Sequence, residues 1–291
     1  MKLFLTGANG FLGSHLVRHW CSAGHNVSGT YYPSYPGGAN LAATGARMVP
    51  FSLADDFPPE ELLDQDVVLH LAYDRGASVE VNAAGTWRVF EAARGRGVPR
   101  QIFFSSYSAR PNAASEYGRL KYELEERFLK AGECVVRPGL VIGYGGLFGR
   151  NMETILRSPV MPLLDGGRLL LPLIGIGDLV AGMSALLGGR VGAFNLFHPE
   201  LVTMRRLIEA VNRAAGHRTI YLTIPHTVAA GALKVARVLP VRVPVDGDNL
   251  RALKQNQAAI HVSDLPELLD KFQSIDEIIA GAVEARRRGQ R

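Results

Sequence analysis

The chain has 291 residues, of which 47% are hydrophobic, and it carries a formal net charge of +5. This length and hydrophobic content allow one large or two modest domains with a sizeable core. Two cysteines, Cys21 and Cys134, are too few for a secreted disulfide framework, so a reduced, cytoplasmic compartment is expected. The apolar stretch 161–177 is interrupted by Arg168 and Pro172, so no membrane span is predicted. The basic end ARRRGQR has no interleaved aromatic residues, so no nucleic-acid binding is predicted.

Apolar runs alternate with helical patterns through about residue 140. The first run, KLFLT, precedes a helix in which Leu12, Leu16 and Trp20 recur at helical spacing and which ends near Gly24. The further predicted strands are NVSGTYY (26–32), ARMVPFSL (46–53), DVVLHLAY (66–73), RQIFFSS (100–106) and CVVRPGLVIG (134–143). The longer helices between them are AGTWRVFEAARGRG (84–97) and EYGRLKYELEERFLKAG (116–132). This alternation predicts an α/β fold built on a doubly wound parallel sheet.

The pattern loosens from about residue 145. A strand, GAFNLF, is followed by a clear helix in FHPELVTMRRLIEAVNRAAG, and the last 70 or so residues mix helices with Pro-rich turns. We therefore predict a first domain over residues 1–140, to which residues 170–200 return. Residues 141–169 and 201–291 are predicted to form a smaller α/β domain.

Three glycines, Gly7, Gly10 and Gly13, follow the first strand and open the first helix. In a strand–turn–helix unit, such glycines permit a tight turn, close approach of a pyrophosphate and close packing of the helix on the strand. The amides and the positive dipole of the helix N-terminus then hold the phosphates. The first domain is therefore predicted to bind a dinucleotide.

Tyr117 and Lys121 lie four residues apart on the second long helix, so their side chains share one face. A phenol has a pKa near 10, and a nearby ammonium lowers it by stabilising the phenolate. The pair is predicted to exchange a proton with a substrate hydroxyl or carbonyl while hydride moves to or from a nicotinamide.

Several segments together resemble the extended short-chain dehydrogenase/reductases, the NAD-dependent epimerase/dehydratase family. They occur in the family's order over about two-thirds of the chain, and the stretch GTYYP is closest to the dTDP-4-dehydrorhamnose reductase branch. The segments are TGANGFLGSHL, HLAY (70–73), NAAGTWRVFEAA, FFSS, YGRLK and RPGLVIGYG.

The resemblance implies catalytic residues Ser106, Tyr117 and Lys121, with Ser106 orienting the reacting oxygen and Lys121 also holding the ribose. It places Ser106, Tyr107 and Leu140 against the substrate, and it assigns the smaller domain to substrate binding. No metal site is predicted. The implied cofactor-binding residues are Gly7, Asn9, Gly10, Phe11, Leu12, Gly13, Thr30, Tyr31, Ser52, Leu53, Leu71, Ala72, Tyr73, Ser105, Tyr117, Lys121 and Pro138.

The end of the second strand bears on the choice of cofactor. Members of the family that use NAD carry Asp or Glu there, whereas this chain reads GTYYPSY. Thr30 and Tyr31 could donate hydrogen bonds, and no carboxylate is present to repel a 2′-phosphate. The sequence therefore favours NADP(H) over NAD(H).

Other departures from the family concern the substrate. Tyr107 and Ser108 follow Ser106 where the family's dehydratases carry an acid pair, so dehydration is disfavoured. Leu140 and Leu171 stand where sugar-nucleotide epimerases carry Asn and Arg, two groups that help to hold the nucleotide. A nucleotide sugar is therefore not required as the substrate.

Three functions follow from these observations. The first is an NAD(P)-dependent oxidoreductase that reduces a carbonyl, or oxidises a secondary alcohol, of a small substrate such as a sugar derivative. The second is an NAD-dependent epimerase of a sugar or nucleotide sugar that retains its cofactor, and the third is a non-catalytic dinucleotide-binding regulatory or assembly subunit. A homodimer through the two long helices is expected, with Val89, Phe90, Leu120 and Leu124 as contributors, although core packing explains the same residues.

Overall fold

The structure is a computed structural model that describes residues 1–34, 41, 43–225 and 261–289. Much of the predicted Pro-rich C-terminal part, residues 226–260, lies outside the described residues. The chain divides into two compact units. The first unit comprises Met1–Pro111, Glu116–Pro138 and Val180–Asn195, and the second comprises Asn112–Ser115, Gly139–Leu179 and Leu196–Arg291.

Strands and helices alternate through the first half of the chain. In chain order, the strands are β1 (Lys2–Thr6), β2 (Asn26–Tyr31), β3 (Arg47–Pro50), β4 (Val67–His70), β5 (Arg100–Phe104), β6 (Cys134–Pro138), β7 (Leu140–Ile142), β8 (Val160–Leu164), β9 (Leu170–Leu171), β10 (Leu173–Gly175), β11 (Gly192–Leu196), β12 (Val202–Thr203) and β13 (Ile220–Ile224). The α-helices described are α1 (Phe11–Ser22), α2 (Val79–Gly95), α3 (Glu116–Lys130), α4 (Gly146–Arg157), α5 (Ile176–Leu186), α6 (Met204–Ala215), α7 (Leu265–Leu268) and α8 (Ile275–Arg287).

The first unit is built on a seven-stranded sheet in the order β11-β6-β5-β4-β1-β2-β3. The pairs β1–β2, β1–β4, β2–β3, β4–β5 and β5–β6 are parallel. The order reverses direction at β1 and β4, so the carboxyl ends of these strands form a switch point, where open α/β sheets bind ligands. The predicted doubly wound parallel sheet is confirmed.

Apolar clusters cover the face of this sheet against which α2 and α3 pack. Phe4 and Val68 pack with Val89 of α2 in one cluster, and Phe103 packs with Phe90 and with residues of α3 in another. All four strand residues of β4 are buried, as expected for a strand covered on both faces. Four residues considered for a dimer contact, Val89, Phe90, Leu120 and Leu124, are at most 2% exposed within this chain. Core packing therefore accounts for them.

Several predicted strands end earlier in the structure, including ARMVPFSL at Pro50 and RQIFFSS at Phe104. The run DVVLHLAY forms β4 only as far as His70, because the amides of Leu71 and Ala72 donate instead to Thr6 Oγ1. The run CVVRPGLVIG is two strands rather than one. It breaks at Gly139, whose amide donates to Leu196 O and where a β-carbon would lie 2.5 Å from the Pro172 carbonyl oxygen.

In its described residues, the second unit contains short strand pairs and three longer helices. Strand β7 pairs with β10, β9 with β12, and β8 with β13. Its core includes Met152 of α4, Val211 of α6 and Ile279 of α8. Among the described residues, none of the helices has the length and apolar character needed to cross a membrane.

Candidate active site

The turn between β1 and α1 is shaped by Gly7. Its φ is +67°, and a β-carbon there would lie 2.9 Å from the Cα of Ala72. Its amide donates to Thr30 Oγ1 at 3.0 Å. The turn therefore needs glycine for its backbone angle and for the close approach of the segment after β4. Two predicted cofactor-binding segments, around Gly7 and Ala72, are thus brought together.

Helix α1 begins directly at this turn. Gly13 packs so closely that a β-carbon on it would overlap the Gly7 carbonyl oxygen and lie 2.7 Å from the Cα of Ala8. The N-cap residue is Gly10, and no side chain caps the helix. The first-turn amides, including those of Phe11 and Leu12, have no intrahelical acceptor, which is the arrangement that binds phosphate.

Asn9 and Thr30 hold the turn to the neighbouring strand. Asn9 Oδ1 accepts a hydrogen bond from the Tyr32 amide at 3.3 Å. Thr30 is buried, and both its hydroxyl and its carbonyl oxygen accept hydrogen bonds from the turn, from the amides of Gly7 and Ala8. Thr30 therefore supports the turn from below, whereas Tyr31 at the end of β2 is half-buried.

The residues after β3 form a turn of their own. Ser52 Oγ accepts a hydrogen bond from the Ala54 amide at 3.2 Å, and the Leu53 side chain is buried in the core. The Leu53 carbonyl accepts a hydrogen bond of 2.6 Å from Arg88 of α2. No pattern in the sequence marks Arg88, because an arginine on a helix has no distinctive spacing.

The predicted catalytic residues Ser106 and Tyr117 meet in the structure. The Ser106 hydroxyl hydrogen-bonds the Tyr117 phenol. Ser106 Oγ also lies 2.8 Å from Ser108 Oγ and accepts a hydrogen bond from the Ser108 amide. The Tyr73 ring packs edge-on against the Tyr117 ring, with centroids 4.9 Å apart. Ser108 was not predicted as part of this group.

The pKa of Tyr117 is shifted in the direction opposite to the expectation. We expected the Lys121 ammonium to lower the pKa of the phenol. Instead, burial raises the pKa of Tyr117 to about 12, although the Ser106 hydrogen bond opposes that rise. Lys121 Nζ donates to the Phe104 carbonyl at 2.7 Å and lies 5.8 Å from the centroid of the Tyr117 ring. The phenol is therefore protonated at neutral pH, as an ordinary phenol with a pKa near 10 also is.

A buried ion pair lies one helical turn beyond Lys121. The Glu125 side chain is 0% exposed, and Arg137 at the end of β6 binds it with Nε and with Nη2, the latter at 2.7 Å. Ser105 Oγ donates to the same carboxylate. Lys121 is buried too, which lowers its pKa to about 8 against the raising effect of Glu125. Glu125 and Arg137 were not predicted as part of the site. The sequence held one signal for Glu125, which lies eight residues after Tyr117 and therefore on the same helix face.

The remaining predicted residues are distributed as follows. Tyr107 is buried, and its amide donates to the carbonyl of Pro138, itself buried at the end of β6. Tyr73 is half-buried beside Tyr117, in a segment held by Asn82, whose amide group hydrogen-bonds both the amide and the carbonyl of Asp74. Leu140 lies on β7 and belongs to the second unit.

The residues at the carboxyl ends of β1 and β4 fit the pyrophosphate of a dinucleotide. The glycine turn leaves no room for β-carbons at Gly7 and Gly13, and the helix that follows presents uncapped amides. A pyrophosphate needs this combination of close backbone approach and free N–H donors.

Comparison with known proteins agrees with this fit. The profile of the NAD dependent epimerase/dehydratase family matches residues 3–188, which is more than half of the chain. An uncharacterised protein of Mycobacterium tuberculosis is 29% identical over 223 residues, which cover 73% of this chain and 23% of that protein. The ceramide reductase of Caulobacter vibrioides is 32% identical over 173 residues, which cover 55% of this chain and 53% of that enzyme. The chain thus spans between about a quarter and about half of the length of these relatives.

Solved structures share the fold over the whole chain. The UDP-glucose 4-epimerase of Thermotoga maritima has a TM-score of 0.75, is 20% identical, and is covered over 100% of both chains. At this identity, the likeness speaks for the fold alone. The match of the family profile, together with the glycine turn and the parallel sheet, identifies the chain as a member of the NAD-dependent epimerase/dehydratase family.

Proposed function

We propose that this chain is an NAD(P)-dependent oxidoreductase that reduces the carbonyl of a small molecule, with Tyr117 as the proton donor. The observation that carries the proposal is the hydrogen bond between the Ser106 hydroxyl and the Tyr117 phenol. A protonated phenol beside a second hydroxyl group can protonate a carbonyl oxygen as that oxygen gains negative charge. The name of the ceramide reductase also supports a reduction.

Each residue of the site has a separate part in this proposal. Ser106 orients the carbonyl oxygen, and Tyr117 donates its proton to that oxygen. Lys121 supplies a positive charge beside the phenol, which favours the phenolate left after proton transfer. A nicotinamide dinucleotide, held by the glycine turn and the first-turn amides of α1, supplies hydride when it is bound. Tyr73 packs against the Tyr117 ring and limits its movement.

We also propose NADP(H) as the preferred cofactor. The end of β2, from Thr30 to Ser34, carries no carboxylate that would repel a 2′-phosphate. Because Thr30 is engaged with the turn, Tyr31 is the better placed of the two to donate a hydrogen bond to the ribose side. Domain roles follow the same proposal, with dinucleotide binding by the first unit and substrate binding by the second. A cytoplasmic location and a homodimer remain predictions. Light scattering of the purified chain tests the homodimer.

Activity of the Tyr117→Phe variant tests the catalytic proposal. Purified chain is incubated with NADPH or NADH and a panel of ketones, aldehydes and keto-sugars, and nucleotide oxidation is followed by absorbance. We expect Tyr117→Phe to reduce turnover by at least about 10²-fold, because general acid catalysis contributes about 10²–10⁴-fold. Binding of the dinucleotide should persist in this variant. Tyr122→Phe, on the same helix, serves as the control. Full turnover by Tyr117→Phe would refute the assignment of the proton donor.

Epimerisation is the second candidate, because the family description names epimerases and the Thermotoga structure is a UDP-glucose 4-epimerase. An epimerase keeps its cofactor through the cycle, whereas a reductase exchanges it at every turnover. Mass spectrometry of the small molecules released on denaturation separates the two. Stoichiometric NAD⁺ would favour the epimerase and oppose NADP(H), whereas empty protein or NADP(H) would favour the reductase.

A further inference from the structure

We propose that Glu125 is a positioning residue that keeps the Lys121 ammonium charged beside Tyr117, and that the positive charge of Arg137 offsets part of this effect. The inference rests on the proposed function for the role of Lys121 in turnover. Glu125 and Arg137 themselves do not touch substrate or cofactor in this proposal. They act through Lys121.

The geometry connects three elements that carry predicted active-site residues. Tyr117, Lys121 and Glu125 follow one another at intervals of four on α3, so they line one face of that helix. Arg137 binds Glu125 with Nε at 3.1 and 3.0 Å from the two carboxylate oxygens and with Nη2 at 2.7 Å from one of them. Ser105, next to Ser106, donates to the same carboxylate from the end of β5. The carboxylate thus ties α3 to β5 and β6.

The charge balance around Lys121 makes Glu125 more than a structural tie. Burial opposes the charged form of Lys121, and Glu125 is the group that favours it. The other groups that face Lys121 do not supply a negative charge at neutral pH. They are the phenols of Tyr117 and Tyr73, the Phe104 carbonyl of β5, and His70 of β4, whose pKa is lowered to about 4.

A buried carboxylate could also serve stability alone. An ion pair of this kind costs desolvation energy, and its removal often has little net effect on stability when a well-packed apolar pair replaces it. A purely structural tie would be indifferent to the sign of the charge that remains near Lys121. The positioning role is not, because loss of Glu125 leaves Arg137 nearby, whereas loss of Arg137 leaves Glu125 nearby.

The experiment measures the pKa of Lys121 directly. The full chain is labelled with [ε-¹³C]lysine and titrated by NMR, and the Lys121 signal is identified by its absence in Lys121→Arg. We expect Glu125→Gln to lower the pKa of Lys121 by about one unit or more and Arg137→Met to raise it. The alkaline limb of the kcat profile for carbonyl reduction should move in the same two directions.

A second ion pair on the same helix gives the matched control. Glu123 and Arg127 are exposed and pair at 2.6 Å. Glu123→Gln and Arg127→Met should leave the Lys121 signal and the pH profile unchanged, because solvent screens exposed charges. Where Glu125→Gln does not fold, as judged by circular dichroism, the Glu125→Gln/Arg137→Met double variant removes both charges. Its Lys121 pKa is expected below that of the natural chain.

The outcomes separate this inference from the proposed function. Displacement of the Lys121 pKa in the same direction by Glu125→Gln and Arg137→Met, or in neither, would overturn the positioning role. An unchanged Lys121 pKa in the double variant would overturn it as well. Opposite displacements in a chain that reduces no carbonyl would support the effect of Glu125 on Lys121 and would count against the proposed function alone.

Discussion

His70 shows how burial at a single residue couples protonation to stability. Its ring is 2% exposed at the end of β4, with Nε2 2.8 Å from Gln101 Oε1. Burial lowers the pKa of His70 from 6.5 to about 4, the hydrogen bond to Gln101 opposes that shift, and the charge of Lys121 adds to it. Because the folded pKa lies below the unfolded one, the unfolded chain binds more protons between about pH 4 and 6.5. The free energy of unfolding therefore falls as the pH drops through this window.

Urea denaturation at pH 7.5 and pH 4.5 tests this linkage at His70. Between these two values, His70 should account for a loss of about 2–3 kcal/mol in the free energy of unfolding. His70→Gln should show a pH dependence that is shallower by that amount, since glutamine does not titrate. His19→Gln, at an exposed position on α1, is the control and should keep the natural slope. Equal slopes in His70→Gln and the natural chain would contradict the coupling.

At the residue level, the sequence predicted that certain side chains meet, while their catalytic roles stay predictions. Ser106 and Tyr117 were identified by their order along the chain, and the structure brings their hydroxyl groups together. Glu125 was missed, because helical spacing gives the face of a residue but not its distance from solvent. Nor does a sequence show that the Lys121 amine lies against the Phe104 carbonyl. The direction of the Tyr117 pKa shift follows from burial of the phenol, which the sequence does not show either.

The β1–α1 element depends on the absence of one side chain. Gly13 is helical, and a β-carbon on it would lie 2.7 Å from the Cα of Ala8. Gly281 is a matched helical glycine on α8, exposed and with no atom within 4 Å of such a β-carbon. Gly13→Ala should therefore lower the free energy of unfolding by about 1–3 kcal/mol, as overpacking does. Gly281→Ala should raise it by about 0.5–1 kcal/mol, the helix preference of alanine over glycine.

Denaturant titrations of the two alanine variants decide between these effects. The same change from glycine to alanine is predicted to lower the free energy of unfolding at Gly13 and to raise it at Gly281. If both variants shift the midpoint in the same direction by the same amount, helix preference rather than close packing controls Gly13. Weaker dinucleotide binding is expected for Gly13→Ala alone, because the turn must move to accept the methyl group.

Elements were predicted well wherever an apolar run coincides with one strand. The runs of β1, β2 and β5 match the structure closely, since each is buried and bounded by turn residues. The apolar run around Gly139 was wrongly predicted as one strand, because hydrophobicity indicates that a residue is buried but not which strand it pairs with. Residues on either side of Gly139 are both apolar, yet β6 pairs with β5 and β7 pairs with β10.

At the scale of the whole molecule, fold and family are determined more firmly than the substrate. The sheet order and the family profile agree over the N-terminal part of the chain. The sequence of the second unit shows no comparable motif, because many different sequences form short strands and amphipathic helices. Leu140 and Leu171, on β7 and β9, are the departures that bear on substrate class, and both lie in that unit. Cofactor choice can be decided without knowledge of the substrate.

The melting temperatures of the full chain with NADPH and with NADH measure that choice. A ligand that binds only the folded state stabilises it by RT ln(1 + [L]/Kd), which is about 2.7 kcal/mol at 100 times Kd. We expect equal concentrations of NADPH to raise the melting temperature more than NADH, because no carboxylate at the end of β2 repels a 2′-phosphate. ADP-ribose should give part of the shift through the glycine turn, and Gly13→Ala should diminish all three shifts. A larger shift with NADH would reverse the proposed preference, and no shift with either nucleotide would refute dinucleotide binding and with it the proposed reduction.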